Sequence, residues 1–410
     1  MSYNHSKSIF LGDIPIGKSF FFRIENALLV SKKDDIIEII SFYNNLENDL
    51  KSYCIFKGEI FLDKKNNKEL YSYYIKKKSN DNFPKFEADI NRLESNPPLN
   101  IGLAPRNSLP EEGSPDYGFD LHYKEDLWNN NISKLYEESK KTQWNTSVDI
   151  DWDNIPNYDK DMEFAIAQIM TYLTENEFSA LYVPSKFIAK VSPYFYEIPV
   201  FLSSLINDEA RHIEAFIKRA NINGMGVQYS SIITQNSLYT LYAENNYIKS
   251  SFLLHVMGEG TFLDLLSFLE KYTKDEPTQK LLRLVRIDET RHVRYGTNHI
   301  KEILKHNPNK VNILKEAVFK RKEYLDELNG ESTLLIESMA FLAGGGTSYN
   351  QYKNGMELVS ELKNQMHENR VQRLTEIGID EDLAVDISKK HTPNFMWYIN
   401  KNLYIKKYLN

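Results

Sequence analysis

Hydrophobic residues recur at intervals of three and four from about residue 126 onward, which is the spacing of one face of an α-helix. Pro184 interrupts the first long segment, and Pro277 lies in the first turn of the fourth, where a missing N–H costs least. We therefore expect a mostly helical protein in which two helical hairpins follow each other. The pattern predicts helices over residues 159–192, 193–221, 246–273, 276–306, 311–328, 334–342 and 355–377.

The first 125 residues follow another pattern. Short aromatic or β-branched runs begin at Ser19, Tyr53, Glu59 and Tyr71, with turn-like polar segments between them. These runs predict strands in a small α+β domain. Five prolines and three glycines in residues 97–118 indicate a linker. The expected domains are 1–125 for the α+β domain and linker, 126–330 for a helical bundle, and 331–410 for a C-terminal helical extension.

Two near-copies of one motif lie in the predicted helices. The sequence Asp-Glu-Ala-Arg-His at 208–212 recurs as Asp-Glu-Thr-Arg-His at 288–292. In each copy the Glu and the His are three residues apart, so a helix places them on one face. Two such helices facing each other provide two carboxylates and two imidazoles for a dinuclear metal site in a four-helix bundle. That site requires one further Glu from each of the two remaining helices.

The missing carboxylates follow from the geometry of antiparallel helices, in which residues equally far from the turn lie at the same height. Glu177 and Glu209 lie 15 and 16 residues from a turn at 192–193. Glu259 and Glu289 lie 15 and 14 residues from a turn at 274–275. The predicted metal ligands are therefore Glu177, Glu209, His212, Glu259, Glu289 and His292.

Glu175 competes with Glu177 for the first ligand position, because a single residue separates them and a helix bulge could select either. The apolar neighbours Leu173, Ala180 and Leu181 lie on the same helical face as Glu177 and favour it. The residues around the other predicted ligands are apolar as well. The sequence places the following in a candidate substrate pocket: Leu173, Ala180, Leu205, Phe216, Phe262, Leu263 and Val285.

Carboxylates among apolar neighbours are costly unless they are paired or bind metal. Four ionised Glu side chains carry four negative charges, which two divalent cations cancel. The alternative is a set of solvent-facing residues that form ion pairs with Arg211 and Arg291. The doubled motif and the two carboxylates at matching depth argue against that alternative.

Three further side chains are candidates for contact with the metal site. Asp208 and Asp288 precede the ligand Glu residues, and each could accept the N–H of the histidine on the opposite helix. That bond would leave the other imidazole nitrogen for metal. His255 lies one turn before Glu259 and could be an additional ligand, a neighbour of a ligand, or a hydrogen-bonded core histidine.

Composition narrows the classes of protein. A hydrophobic content of 41% supports a sizeable core, and the net charge of −7 without a long basic run gives no sign of a nucleic-acid or membrane surface. A single cysteine, Cys54, excludes an intramolecular disulfide and a cysteine-based metal site. The N-terminus has no apolar core of signal-peptide length, so we expect a cytoplasmic protein.

Residues 135–305, with their four Glu and two His ligands, resemble the ferritin-like dinuclear iron carboxylate superfamily. The sequence around Gln143-Trp144 and 149–152 is most similar to the p-aminobenzoate N-oxygenase-like group of that superfamily. The resemblance implies two iron ions, or manganese in place of iron, and an enzyme that activates O₂. It also implies a small organic substrate that is hydroxylated, N-oxygenated or oxidatively cleaved, with a role in biosynthesis.

Departures from the family patterns leave the reaction open. Phe216 occupies the position of the radical tyrosine of ribonucleotide reductase small subunits, and Leu263 replaces the threonine of multicomponent hydroxylases. Val285 stands where the N-oxygenase group has an additional histidine. The alternative functions are metal storage and peroxide detoxification of the manganese catalase type. The chain lacks a Gly-x-Gly-x-x-Gly motif, so electrons are expected from a separate reductase or other donor, and a homodimer is possible.

Overall fold

The computed structural model describes residues 3–80, 93–106, 108, 113–326 and 333–391. They belong to two compact units, Met1–Arg92 and Leu93–Asn410. The first unit therefore ends before residue 125, where the sequence placed the boundary. Leu93, Ile101 and Leu127 lie in the hydrophobic core of the second unit, which explains why this proline-rich segment belongs with the helices.

The N-terminal unit is a small α+β domain with a four-stranded sheet of order β1-β2-β4-β3. Strands β1 and β2 are parallel, and the other two pairs are antiparallel. The strands are β1 (Lys7–Gly12), β2 (Ile36–Ser41), β3 (Ile60–Asn67) and β4 (Leu70–Lys76), and the helices are α1 (Lys18–Leu29) and α2 (Glu47–Lys57).

Two of the four predicted strands are wrong. The runs from Ser19 and Tyr53 lie in α1 and α2, whereas those from Glu59 and Tyr71 correspond to β3 and β4. The aromatic content of the first run suggested a strand, but its buried residues Phe20, Ile24 and Ala27 are spaced as on one face of a helix. The predicted α+β class is confirmed.

The second unit is helical, and its long helices follow the predicted segments closely. Helix α10 has the predicted bounds, and α5 continues through Pro184 to Ile188. The helices are α3 (Lys124–Leu127), α4 (Ile132–Lys141), α5 (Lys160–Ile188), α6 (Glu197–Asn221), α7 (Ile232–Tyr242), α8 (Tyr247–Ser251), α9 (Gly260–Tyr272), α10 (Glu276–His306), α11 (Val311–Asp326), α12 (Thr333–Gly344), α13 (Tyr349–Glu376) and α14 (Glu381–Lys390). Of these, α3, α4, α7 and α14 were not predicted.

A π-helical segment, Phe252–Glu259, joins α8 to α9. The continuous run Tyr247–Tyr272 is long and apolar enough to cross a membrane, but 78% of its most apolar window is buried inside the protein. Its apolar character is therefore that of a core helix. The helices α5 and α6, the run from α8 to α9, and α10 form the bundle that holds the predicted ligands.

Side-chain caps define where the bundle helices begin. The Asp159 carboxylate accepts a hydrogen bond from the Met162 N–H at the start of α5. Asp275 does the same for Thr278 in α10 at 2.8 Å, and it also accepts the Tyr158 hydroxyl at 2.8 Å. These bonds satisfy amide groups that have no partner within the helix.

Replacing Asp275 with Ala is expected to lower the free energy of unfolding by about 1–2 kcal/mol, because it removes the cap of α10. Chemical denaturation measures this change. Asp120 is the matched control, since its side chain is 71% exposed, and its Ala variant should unfold like the unmodified protein. Equal stability of the Asp275 and Asp120 variants would contradict the role of the cap.

Candidate metal centre

All six predicted ligands converge inside the bundle. Glu177 comes from α5, Glu209 and His212 from α6, Glu259 from the end of the π-helical segment, and Glu289 and His292 from α10. Each is at most 4% exposed. All six side chains are therefore buried in the interior of the bundle.

The ligand atoms form two overlapping groups. One contains Glu177, Glu209, His212 and Glu289, and the other contains Glu209, Glu259, Glu289 and His292. Within each group the atoms lie within 4.8 Å of one another. Glu209 and Glu289 belong to both groups, so the geometry suits two metal ions that share two carboxylates.

Buried polar atoms without a hydrogen-bond partner indicate that these residues fit a pair of metal ions. Buried polar atoms in proteins nearly always have a hydrogen-bond partner. Among the described residues, no hydrogen-bond partner is found for eight atoms of the six side chains, which are Glu177 Oε1, both oxygens of Glu209, His212 Nδ1, Glu259 Oε1, both oxygens of Glu289, and His292 Nδ1. Carboxylate oxygens and imidazole nitrogens are the donors that iron and manganese accept.

The two histidines are held in matching orientations. His212 Nδ1 lies 3.3 Å from Glu209 Oε2, and His292 Nδ1 lies 2.9 Å from Glu209 Oε1. Their Nε2 atoms point away from the Glu carboxylates. His212 Nε2 lies 3.2 Å from Asp288 Oδ2, and His292 Nε2 lies 3.3 Å from Asp208 Oδ2. When Nε2–H donates to the aspartate, the lone pair of Nδ1 is left for metal.

Asp208, Arg211, Asp288 and Arg291 form an aspartate–arginine quartet behind the histidines. Arg211 Nη2 lies 2.6 Å from Asp208 and 2.8 Å from Asp288. Arg291 Nη2 lies 2.9 Å from Asp208 and 2.6 Å from Asp288. The arginines of the repeated motif therefore neutralise the buried aspartates. The alternative interpretation, in which these arginines form surface ion pairs with the Glu residues of the motif, is not what the structure shows.

Two residues just after α4 donate hydrogen bonds to the aspartates of this quartet. Trp144 donates its indole N–H to Asp288 at 2.7 Å, and Gln143 donates to Asp208 at 3.1 Å. The Trp144 ring also stacks on that of His212, with centroids 6.3 Å apart. The sequence marked Gln143 and Trp144 by family texture but assigned them no role. Their partners lie 65 and 144 residues away, and no local pattern connects them.

The electrostatics of the cluster follow from four carboxylates in a small buried volume. Burial, together with the charges of Glu209 and Glu289, raises the pKa of Glu177 well above its ordinary value. Burial alone would lower the pKa of His212, but the charge of Glu177 and the hydrogen bond to Asp288 raise it well above the ordinary value. Without metal, protons therefore take the place of cations, and metal binding releases them.

Glu175 and His255 lie outside the two groups. Glu175 is half-buried and accepts a hydrogen bond from Gln235 at 2.9 Å, so its carboxylate is directed away from the cluster. His255 is buried, and its Nδ1 lies 2.7 Å from Glu259 Oε2. It is thus placed as a hydrogen-bonded neighbour of a candidate ligand.

The π-helical segment that ends at Glu259 was not predicted. The hydrophobic pattern predicted a regular α-helix over residues 246–273. Segments of this type are rare and concentrate at functional sites. Here the segment contains both His255 and Glu259 and brings their side chains into contact.

Six of the predicted pocket residues are buried, and Leu263 is half-buried. A cavity of about 60 Å³ lies between α5, α7, the α8–α9 run, α11 and α13. Of the seven predicted residues, Phe262 lines it. Further cavity residues come from α5 and the α8–α9 run, which carry predicted ligands, and the rest come from α7, α11, α13 and the residue after α14, which the sequence did not connect with the site.

Replacing Asp288 with Asn is expected to weaken metal binding by about 10- to 100-fold, because the carboxylate that orients His212 loses its charge. A competition titration with a chelator measures the affinity, and circular dichroism reports whether the helices persist. Asp153 is exposed and its Asn variant is the control. Unchanged metal affinity in the folded Asp288 variant would refute this orienting role.

No protein-family model matches the chain, and neither does any curated protein. Solved structures that match include variants of an R2-like ligand-binding oxidase with a Mn/Fe cofactor. One is 17% identical, with a TM-score of 0.45 over 61% of this chain and 94% of that chain. A second is 18% identical, with a TM-score of 0.40 over 66% and 93% of the two chains. This likeness concerns the fold alone. The structure itself shows a mostly helical bundle with inward-facing Glu and His residues on α5, α6, the α8–α9 run and α10.

Proposed function

We propose that this protein is an O₂-dependent dinuclear metal enzyme that oxidises a small organic substrate. The observation that carries the proposal is the set of eight buried, unpartnered ligand atoms in two overlapping groups. A structural ion-pair network would leave such atoms hydrogen-bonded, because an unmet buried polar group costs free energy. The predicted reaction types are hydroxylation, N-oxygenation and oxidative cleavage.

Iron or manganese bound in both groups would supply the electrons that reduce O₂ and the Lewis acidity that holds it. Glu209 and Glu289, which belong to both groups, would help to hold both ions. Glu177 with His212 would complete one position, and Glu259 with His292 the other. The two proposed positions thus have similar ligands, each with one histidine. Both an iron pair and a manganese–iron pair are compatible with these ligands.

The surrounding residues orient the ligands and exclude water. The aspartates of the aspartate–arginine quartet lie at 3.2 and 3.3 Å from the two Nε2 atoms and, by accepting Nε2–H, would favour the neutral tautomer that leaves Nδ1 for metal. Leu173, Leu205, Phe216 and Val285 are fully buried beside the ligands. A dry, apolar environment prevents solvent from reaching reactive species and favours an apolar part of a substrate.

An external electron donor remains part of the proposal. The sequence contains no Gly-x-Gly-x-x-Gly dinucleotide motif and has Cys54 as its single cysteine. These features favour delivery of electrons by a separate reductase. The substrate and its place in biosynthesis likewise remain predictions.

Substitution of single ligands is expected to have graded effects on metal content. Glu289→Gln affects both positions, so the variant should retain far less than the two ions per chain of the unmodified protein, whereas Glu177→Gln and Glu259→Gln should each retain about one. Elemental analysis after reconstitution measures this. Glu175→Gln is the matched control and should retain two. Equal metal content in the Glu175 and Glu289 variants would contradict the ligand assignment.

Reaction with O₂ separates the proposed oxidase from the alternative functions. The iron-loaded protein with a chemical reductant should consume O₂, and Glu289→Gln should not, because it cannot hold the bridged pair. An oxygen electrode measures the rate. Disproportionation of hydrogen peroxide without a reductant, in a protein that does not consume O₂, would instead favour peroxide detoxification.

A further inference from the structure

Positive charge is concentrated beside the cavity near the metal centre. Arg321 of α11 and Arg370 and Arg373 of α13 form this basic cluster. His391, just after α14, lies beside them, and burial together with the charges of the three arginines holds its pKa well below the ordinary value, so its imidazole is neutral. Arg321 is 9% exposed, Arg370 2% and His391 4%. Buried arginines normally face carboxylates, since an uncompensated charge in the interior is costly.

The hydrogen bonds of two of these arginines go to neutral oxygens. Arg321 donates to the hydroxyls of Ser237 at 2.6 Å and Thr240 at 2.9 Å. Arg370 donates to the Thr261 hydroxyl at 3.0 Å and to the Ser388 carbonyl at 3.1 Å. These contacts orient the guanidinium groups without cancelling their charge.

Few acidic groups offset the basic cluster. Among the described residues, Asp264 acts on Arg370 and Arg373, and Glu376 acts on Arg373. No salt bridge joins a described carboxylate to Arg321. Burial lowers the pKa of Arg321 to about 10, which is the response of a cation that lacks a counter-charge.

The cavity brings this charge and an apolar surface together. Arg321 provides the charged group of its polar lining, which also contains the neutral side chains of His391, Tyr172, Asn176, Ser237 and Thr261. His391 Nδ1 has no hydrogen-bond partner among the described residues. The apolar wall consists of Leu238, Leu241, Leu253, Phe262, Leu265 and Met366.

The cavity also adjoins the candidate metal centre along the chain. Gly258, which lines it, directly precedes the candidate ligand Glu259, and Phe262 lies one helical turn after Glu259. A molecule in the cavity would therefore contact the same helical turns that carry this carboxylate.

We infer that the cavity binds a small organic anion, whose charged group pairs with Arg321 and accepts a hydrogen bond from His391, and whose apolar part lies against Leu253 and Phe262. A water needs roughly 10–15 Å³ of such space, so the volume accommodates about four to six water-sized groups. A short-chain carboxylate has that size. The identification of this anion as the substrate rests on the proposed oxidase function, whereas the binding site itself does not.

Calorimetric titration of the full-length protein tests the site with butyrate, the neutral isostere butyramide, and inorganic phosphate at constant ionic strength. Butyrate should bind at least about tenfold more tightly than butyramide, because the amide cannot pair with a cation. Phosphate has no apolar part and should bind more weakly than butyrate. Equal binding of butyrate and butyramide, or binding of phosphate but not butyrate, would overturn the assignment.

Variants locate the binding. Arg321→Gln should weaken butyrate binding by about tenfold or more, while Arg321→Lys should restore most of the affinity because it keeps the charge. His391→Gln should weaken binding by a smaller factor and tests the site independently if the Arg321→Gln chain does not fold. Arg283→Gln is the control, since the Arg283 side chain is 48% exposed, and it should bind butyrate normally.

The same titration on Glu289→Gln separates this site from the metal centre. Butyrate binding should persist in that variant, because the anion contacts the basic cluster instead of metal. Loss of butyrate binding in Glu289→Gln together with normal binding in Arg321→Gln would place the carboxylate on metal and overturn the inference. Metal content and O₂ consumption of Arg321→Gln report on the proposed function separately.

Discussion

The burial of four carboxylates in one small volume is the constraint on which the bundle depends. Their mutual repulsion in an apolar interior must be offset by cations. Two overlapping groups of ligand atoms, with Glu209 and Glu289 in both, provide places for two such ions. When metal is absent, the raised pKa values of Glu177 and the histidines favour protons on these groups, which offset part of the negative charge.

The aspartate–arginine quartet extends this constraint outward. It pairs two buried aspartates with two buried arginines. Charge is therefore also balanced on the Nε2 side of the histidines, opposite the ligand carboxylates. The basic cluster differs in this respect, because the charge of Arg321 faces a cavity and has no carboxylate partner among the described residues. We infer that the protein balances its own charge around the metal centre and leaves the second region to be balanced by a ligand.

Much of the site could be predicted from the sequence, because helical geometry links residues at fixed spacing. The doubled motif indicated Glu209, His212, Glu289 and His292, and counting from the turns indicated Glu177 and Glu259. Local patterns do not reveal contacts between distant segments, such as Trp144 with Asp288 or Arg321 with Ser237. The strands expected at Ser19 and Tyr53 were wrong. Aromatic residues are common in strands, but the buried residues of α1, Phe20, Ile24 and Ala27, follow helical spacing.

Anomalous X-ray diffraction from crystals soaked with Mn²⁺ tests the dinuclear metal centre most directly. We predict two anomalous peaks about 3.5–4 Å apart, both within bonding distance of Glu209 and Glu289. His212 Nδ1 should contact one ion and His292 Nδ1 the other. The absence of anomalous density between these side chains, in crystals that bind Mn²⁺ elsewhere, would contradict the assignment of a dinuclear metal centre.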